Sequence, residues 1–197
     1  DSRYNSQKFL IHDYFFAKAL DKARAGGVVM FITSKGTMDK ASPEVRKYIA
    51  QRAELLGAIR LPDNTFKANA GTEVTSDIII LQKRDQIIET EPEWVHLDTD
   101  ENGITMNRYF VSHPEMILGE MKMESTRFGM DSACKAYEDI SLSELLSEAV
   151  QQIDGEIPEY ESEIDQISDE QDTPIPADPN VRNFSFALVE GKIYFRE

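Results

Sequence analysis

The sequence predicts an α/β fold in which helices alternate with the strands of a mostly parallel sheet that ends on an antiparallel strand. An amphipathic helix from Phe9 to Arg24 is predicted to end at Gly26 and Gly27, because glycine favours the backbone conformation of helix ends. The continuous apolar run VVMFIT follows, and such runs are typical of strands covered on both faces. These two observations indicate a sheet with helices on either side.

A second helix and two further strands complete the predicted sheet. The helix is expected to begin at Ser42-Pro43 and to run to about Glu54, since serine is a common N-cap and proline suits the first helical position. The runs LLGAIRLP and SDIIILQKR then predict two strands. The connection between them is too short for a crossover helix, so we expect an antiparallel pair at one edge of the sheet.

The remainder of the chain predicts a small α+β appendage. Trp94 to Leu97 indicates a short strand, and PEMIL within residues 107–119 indicates a brief helix that docks on the sheet. The apolar spacing from Ser141 to Ile153 predicts an amphipathic helix, with Glu144 completing a capping box. The predicted organisation is residues 1–88 for the α/β part, 89–155 for the appended docking segment, 156–180 for an acidic proline-containing linker and 181–197 for a β-hairpin.

Charge is distributed unevenly along the chain, whose net charge is -15. Residues 1–88 carry 14 Lys and Arg against 10 Asp and Glu, whereas residues 89–180 carry 4 against 24. The acidic part should repel nucleic acid, although the basic part can still contact phosphate. A purely solvating acidic surface is the alternative.

Several functional classes are disfavoured by the sequence. The single Cys134 excludes an internal disulfide and fits a protein of a reducing cytoplasm. No apolar run approaches the length of a membrane helix, so no membrane association is expected. The three histidines lack the spacing of metal ligands, so no metal site is expected either. The first residue, Asp1, indicates a segment of a longer polypeptide.

Three stretches resemble the second half of the adenine-specific DNA methyltransferases, namely HDYFFAKALDKARAGGVVMFITSKGTMDK, VRKYIAQRAELLGAIRLPDNTF and GTEVTSDIIILQKR. Within that family, type I restriction-modification methylase subunits and the methylase module of large helicase-methylase proteins of bacterial mobile elements are the most similar. NRYFVSHPEMILG resembles the stretch after the methylase core in those large proteins. The resemblance implies the second half of a Rossmann-like methyltransferase sheet, with DNA, an upstream methylase half and a downstream helicase-like region as partners.

The resemblance also implies what this chain lacks. The family binds S-adenosylmethionine on a glycine-containing strand-turn and holds the target amine with an Asn/Asp-Pro-Pro-aromatic tetrapeptide, and neither is present in the sequence. Both would lie upstream of Asp1 in the parent protein. We therefore expect no catalytic residue and no bound cofactor in this chain, and no turnover by it alone. The alternative is a non-catalytic, degenerate methylase-fold module that docks DNA or protein.

The resemblance assigns roles to three ring-bearing residues. Phe15 matches the aromatic residue that packs beside the adenine of the cofactor, and His12 lies one helical turn earlier. Phe66 matches the aromatic residue that stacks on the flipped-out target base. Ordinary packing remains the alternative for Phe15 and for Phe66.

Polar residues at two predicted loops are further candidates for contacts with DNA. Ser34, Lys35 and Thr37 follow the strand VVMFIT, and Lys67 lies in the connection between the last two strands. Ligands of open α/β sheets bind just beyond the carboxyl ends of strands, so these side chains are candidates to line a cleft or to bind phosphate. An ordinary polar loop is the alternative.

Overall fold

The computed structural model describes residues 10–127, 129–158, 180–189 and 192–196. The chain divides into two units, residues 1–158 and residues 159–197. The elements of the first unit are α1 (Ile11–Lys22), β1 (Val28–Ser34), α2 (Gly36–Asp39), α3 (Glu44–Ala50), β2 (Ala53–Leu61), α4 (Lys67–Ala70), β3 (Ser76–Lys83), a 3-10 helix (Glu93–Val95), β4 (Leu97–Thr99), β5 (Thr105–Asn107), α5 (Arg108–Ser112), a second 3-10 helix (Pro114–Met116), β6 (Glu120–Thr126), β7 (Gly129–Lys135) and α6 (Leu142–Gln151). The second unit contains a hairpin of β8 (Ser185–Val189) and β9 (Lys192–Arg196).

The sheets of the first unit are small and antiparallel. β3 lies in the middle of a three-stranded sheet and is antiparallel to both β1 and β2. β4 pairs with β5, and β6 pairs with β7, in two separate antiparallel ribbons. The predicted α/β fold with a mostly parallel, Rossmann-like methyltransferase sheet is therefore wrong.

The error lies in strand order rather than in the strands themselves. The predicted antiparallel pairing of β2 with β3 is correct, but β3 occupies the centre of the sheet and not its edge. Residues 62–75 turn the chain back so that β3 runs between β1 and β2 and hydrogen-bonds to both. β1 and β2 consequently have no ladder with each other, and no parallel strand pair forms between them.

β1 also differs from its prediction, because only one of its faces is covered. Val28, Met30 and Ile32 are exposed, while the alternate side chains are half-buried. The covered face packs against α1, where the rings of Phe16 and Phe31 lie 4.5 Å apart between centroids. A continuous apolar run is therefore compatible with a half-covered strand as well as with a fully covered one.

The core of the first unit extends from α1 and α3 across the sheet to the segments after β5. Leu20 and Ile49 are buried on the helices, and Leu81 is buried on β3. Phe110 of α5 and Ala149 of α6 belong to the same buried cluster. The expected docking of residues 107–119 is seen as contact with β2, where the Leu118 N–H donates to the Arg60 carbonyl oxygen over 2.9 Å.

Smaller elements depart from the prediction in defined ways. Trp94 and Val95 form a 3-10 helix, and the strand begins only at Leu97. PEMIL also contains a 3-10 helix rather than an α-helix. The predicted α6 is present, but the Ser141 side chain makes no cap hydrogen bond, so the capping box does not form. Most of the predicted linker, residues 159–179, and the hairpin turn at 190–191 lie outside the described residues.

A fully buried arginine joins the sheet to two helical segments. The Arg60 guanidinium on β2 donates to both carboxylate oxygens of Asp77 on β3, over 2.8 and 2.9 Å. It also donates to Asp39 Oδ1 at the end of α2 over 2.9 Å, and it lies 4.3 Å from the ring centroid of Phe110. The backbone N–H of Asn107 donates to the same Asp39 oxygen over 3.0 Å. Four separate segments therefore depend on one guanidinium.

We predict that Arg60→Ala strongly destabilises the first unit. The substitution leaves the buried Asp77 carboxylate without its partner, and breaking such a pair typically costs about 3–5 kcal/mol. Urea denaturation monitored by Trp94 fluorescence measures the free energy of unfolding. Lys47→Ala is the matched control, because the Lys47–Glu91 ion pair is exposed and such pairs contribute about 0–1 kcal/mol. Equal effects of the two substitutions would contradict the prediction.

Candidate functional site

Most of the predicted site residues lie at one end of the three-stranded sheet. Ser34, the last residue of β1, and Leu61, the last residue of β2, are both in register with Ser76, the first residue of β3. The segment after β1 and the connection from β2 to β3 therefore leave the sheet at the same end, which we call the loop end. Ser34, Lys35, Thr37, Phe66 and Lys67 belong to these two segments.

The segment after β1 presents fewer groups to solvent than its sequence predicts. Ser34 is exposed, but Thr37 is buried, and its hydroxyl lies 3.3 Å from that of Thr33. Lys35 Nζ donates to Asp131 Oδ1 over 2.5 Å and to Ser132 Oγ over 2.9 Å, both on β7. Of the three side chains, Ser34 is therefore the freely accessible one, because Thr37 is buried and Lys35 is hydrogen-bonded to β7.

The connection from β2 to β3 carries an exposed loop of residues 67–74. It contains α4, which buries no residue and ends at Gly71 in the left-handed conformation with φ of 64°. Lys67 Nζ lies 2.5 Å from Glu73 Oε1, and this hydrogen bond raises the pKa of Lys67. The ammonium group of Lys67 is therefore paired with the carboxylate of Glu73.

Phe66 lies at the junction between this loop and the core. It precedes α4 directly, is half-buried and packs against the buried cluster of the first unit. One part of its ring surface is thus held by the protein interior, and another part remains open beside the exposed loop. This position is compatible with base stacking and with plain packing, the two roles that the sequence leaves open.

The β6–β7 hairpin closes the loop end, and sequence analysis missed it. The Asp63 N–H donates to the Cys134 carbonyl oxygen, and the Cys134 N–H donates to Thr75 Oγ1, both over 2.8 Å. Burial raises the pKa of the Cys134 thiol to about 12, which keeps it protonated. The sequence signals for this hairpin were the alternating Met121 and Met123 and the glycine at position 129.

Each lysine at the loop end is paired with a carboxylate. Lys35 contacts Asp131, and Lys67 contacts Glu73. Lys135 lies 2.7 Å from both Asp63 Oδ2 and Glu124 Oε1. A DNA phosphate that binds one of these ammonium groups must therefore compete with a carboxylate.

The residues assigned to the cofactor lie elsewhere, on α1. Phe15 is 53% exposed, and its ring makes an edge contact with Tyr14, so Phe16 and not Phe15 is the core residue. His12 Nε2 lies 3.5 Å from the buried carboxylate of Asp13. Phe15 is exposed and His12 is half-buried, so these two residues alone do not form the enclosing slot that an adenine ring needs.

A separate groove lies between the β4–β5 turn and the β6–β7 hairpin. Its volume is about 900 Å³. Its lining combines methionines with acidic side chains, among them Met106, Met121, Asp100, Glu101 and Glu120. The lining also includes Lys122, which pairs with Glu120, so the acidic side chains are in excess. Methionines together with an excess of acid suit a basic, partly apolar polypeptide segment.

The described part of the chain contains no group of three or more His, Cys, Asp or Glu side chains placed to hold a metal ion. None of the helices described there has the length and apolar character needed to cross a membrane.

Comparison with known proteins gives one partial similarity. The chain is 31% identical over 100 residues to "Defense against restriction protein B" of Escherichia phage P1. The aligned stretch is 50% of this chain but 4% of the phage protein, so the chain matches a small part of a much longer polypeptide. No protein-family profile and no solved structure matches the chain.

We predict that the ion pair between Lys35 and Asp131 lowers the pKa of Asp131. Partial burial raises this pKa, but the hydrogen bond and charge of Lys35 outweigh burial and bring it below its usual value. Because the folded pKa is depressed, the pair contributes stability above the unfolded pKa, about 3.9, and this contribution is lost as the pH falls through the folded pKa. Titration of the Asp131 carboxyl carbon by NMR measures the midpoint.

The control for this titration uses a lysine of the β6–β7 hairpin, which also carries Asp131. Lys35→Met is expected to raise the Asp131 midpoint, whereas Lys122→Met should leave it unchanged, because Lys122 pairs with Glu120. An Asp131 midpoint that does not respond to Lys35→Met would show that the pair is not formed in solution.

Proposed function

We propose that this chain is a DNA-contacting part of a larger, S-adenosylmethionine-dependent, adenine-specific DNA methyltransferase polypeptide that also carries a helicase-like region. The observation that carries the proposal is the collection of Ser34, Lys35, Phe66 and Lys67 at the loop end. The resemblance of residues 1–119 to the methyltransferases supports it. The partial similarity to a phage protein named for defence against restriction also supports a role connected with DNA modification.

Phe66 is the residue proposed to receive the target base. Enzymes that modify a base inside duplex DNA first extrude it, and stacking on an aromatic face offsets part of the unstacking cost. The core holds one side of Phe66 in place, so its orientation does not depend on the exposed loop that follows. A ring that is fixed before binding loses little conformational freedom when a base stacks on it.

The proposal assigns the reaction itself to the rest of the polypeptide. The sequence contains no Asn/Asp-Pro-Pro-aromatic tetrapeptide and no glycine-containing strand-turn of the cofactor-binding type. Phe15 and His12 do not form an enclosed site. The isolated chain is therefore proposed to be inactive, with S-adenosylmethionine held in the parent protein.

We predict that Phe66→Ala in the complete polypeptide lowers kcat/KM for adenine methylation about fivefold or more. Base stacking on an aromatic side chain is typically worth about 1–3 kcal/mol, which corresponds to this range. Methyl transfer from radiolabelled cofactor to a DNA duplex measures the effect, and Phe66→Trp should retain activity because it keeps an aromatic face. Val74→Ala, at an exposed position of the same loop, is the control. Activity of Phe66→Ala within about twofold of wild type would refute the stacking role.

The second candidate is a non-catalytic docking module, and two observations favour it. Lys35, Lys67 and Lys135 at the loop end are paired with carboxylates, and the groove between the β4–β5 turn and the β6–β7 hairpin is lined by more acidic than basic side chains. Such a surface suits a basic protein segment better than a nucleic acid. In this case DNA would not be bound by the loop end at all.

Substitutions in the exposed loop distinguish the two candidates. We predict that Glu73→Gln tightens binding of the chain to a short DNA duplex at low salt, because it releases Lys67 for phosphate contact, and that Lys67→Gln weakens binding. Fluorescence anisotropy over a salt series measures both effects. Glu101→Gln removes the same charge at the β4–β5 turn and should have a smaller effect. Absence of DNA binding by all variants would favour the docking module.

A further inference from the structure

β1 has an unpaired edge within the part of the chain that the structure describes. It hydrogen-bonds to β3 on one side, and no described strand lies on its other side. The Lys35 N–H donates to the Thr75 carbonyl oxygen over 3.0 Å. In an antiparallel pair every second residue hydrogen-bonds to the partner strand, so this bond identifies which residues of β1 do so. The backbone groups of Val29, Phe31 and Thr33 therefore face β3. Those of the four alternate residues, Val28, Met30, Ile32 and Ser34, point away from it.

As far as the described residues show, this edge lacks the features that usually prevent strand addition. Natural edge strands are commonly shortened, bulged, covered or marked by lysine or proline. β1 is seven residues long, pairs with β3 in unbroken register and contains no charged residue and no proline. Such an edge is a template for a further strand.

The side chains next to the edge are apolar and exposed. Met30 is 64% exposed and Ile32 is 55% exposed, and both lie on the same face of the sheet as the half-buried Ile78 and Ile80. On the opposite face, α1 packs against Phe31. An exposed apolar face next to an edge that no described strand pairs with is a surface on which a further strand can dock.

We infer that the edge of β1 pairs with an apolar strand supplied by another part of a longer polypeptide to which this chain belongs. The similarity to a 4% portion of a phage protein supports this source, because the matching segment of that relative is embedded in a much longer chain. A second copy is disfavoured, since each copy carries a net charge of -15 and the two would repel each other. The inference does not depend on the reaction that the polypeptide catalyses.

Residue-resolved hydrogen exchange tests the inference on the 197-residue chain and on the complete polypeptide encoded by its gene. In the 197-residue chain, the amides of Met30, Ile32 and Ser34 should exchange rapidly, and those of Phe31 and Thr33 slowly. In the complete polypeptide, hydrogen exchange at the amides of Met30, Ile32 and Ser34 should slow at least about tenfold. Continued rapid exchange there would overturn the inference. Protection in the dilute 197-residue chain, or protection that grows with its concentration, would also overturn it, by showing that the chain or a second copy covers the edge.

Two variants separate strand addition from a general loss of stability. Ile32→Pro removes an outward-facing N–H but no hydrogen bond to β3, so it should disturb the 197-residue chain little and abolish the added protection of Met30 and Ser34 in the complete polypeptide. Ile32→Lys places a charge on the exposed apolar face that also carries Met30, and it should have the same effect. Met123→Lys, at a position 47% exposed on β6, is the control that should leave β1 protected in the complete polypeptide. Unchanged protection in both Ile32 variants would refute strand addition.

Discussion

The interaction between Arg60, Asp77 and Asp39 is the constraint on which the rest of the first unit depends. A buried charge is tolerated only when fixed partners replace the water that it has lost. Arg60 meets this requirement with two carboxylates and the face of Phe110, so the register between β2 and β3 and the positions of α2 and α5 are set together. A shift of one residue along β3 would turn Asp77 to the other face of the sheet and leave the guanidinium without its bidentate partner.

A second buried arginine reinforces the same region through backbone groups. Arg46 donates to the carbonyl oxygens of Val95 and Lys40, over 2.7 and 2.8 Å. Asn107 adds bonds from its side-chain amide to the carbonyl oxygens of Met38 and Trp94. In the irregular segments between α2 and β5, these side chains donate hydrogen bonds to backbone carbonyl oxygens. Such bonds replace the strand-to-strand hydrogen bonds that a larger sheet would provide.

The sequence predicted the elements of the sheet better than their arrangement. Periodicity located α1, and continuous apolar runs located β1, β2 and β3, because both patterns report which side chains are buried within one element. They carry no information on which strand lies beside which, so the central position of β3 was missed. The exposed face of Met30 and Ile32 was missed for a related reason, since an apolar run is the same whether one or two faces are covered. The β6–β7 hairpin was missed because its methionines, serines and lysines give a weak strand signal.

For the candidate site, too, the sequence predicted where residues lie in their own segments but not which distant residues they contact. Polar residues at the strand ends were predicted at one end of a sheet, and Ser34, Lys35, Phe66 and Lys67 lie there. The partners that determine their chemistry were not predictable, because Lys35 and Asp131 are 96 residues apart in sequence. Glu73 was visible as a nearby acid, but its contact with Lys67 depends on the turn made at Gly71.

The exposed loop of residues 67–74 contrasts with the hairpin beside it, which is tied to the sheet through Cys134. Because α4 buries no side chain, the loop can change its path without disturbing the core. Evolution can therefore alter the length and composition of this loop at little cost in folding free energy. The surface of the loop end is accordingly free to diverge between related proteins while the scaffold beneath it stays the same.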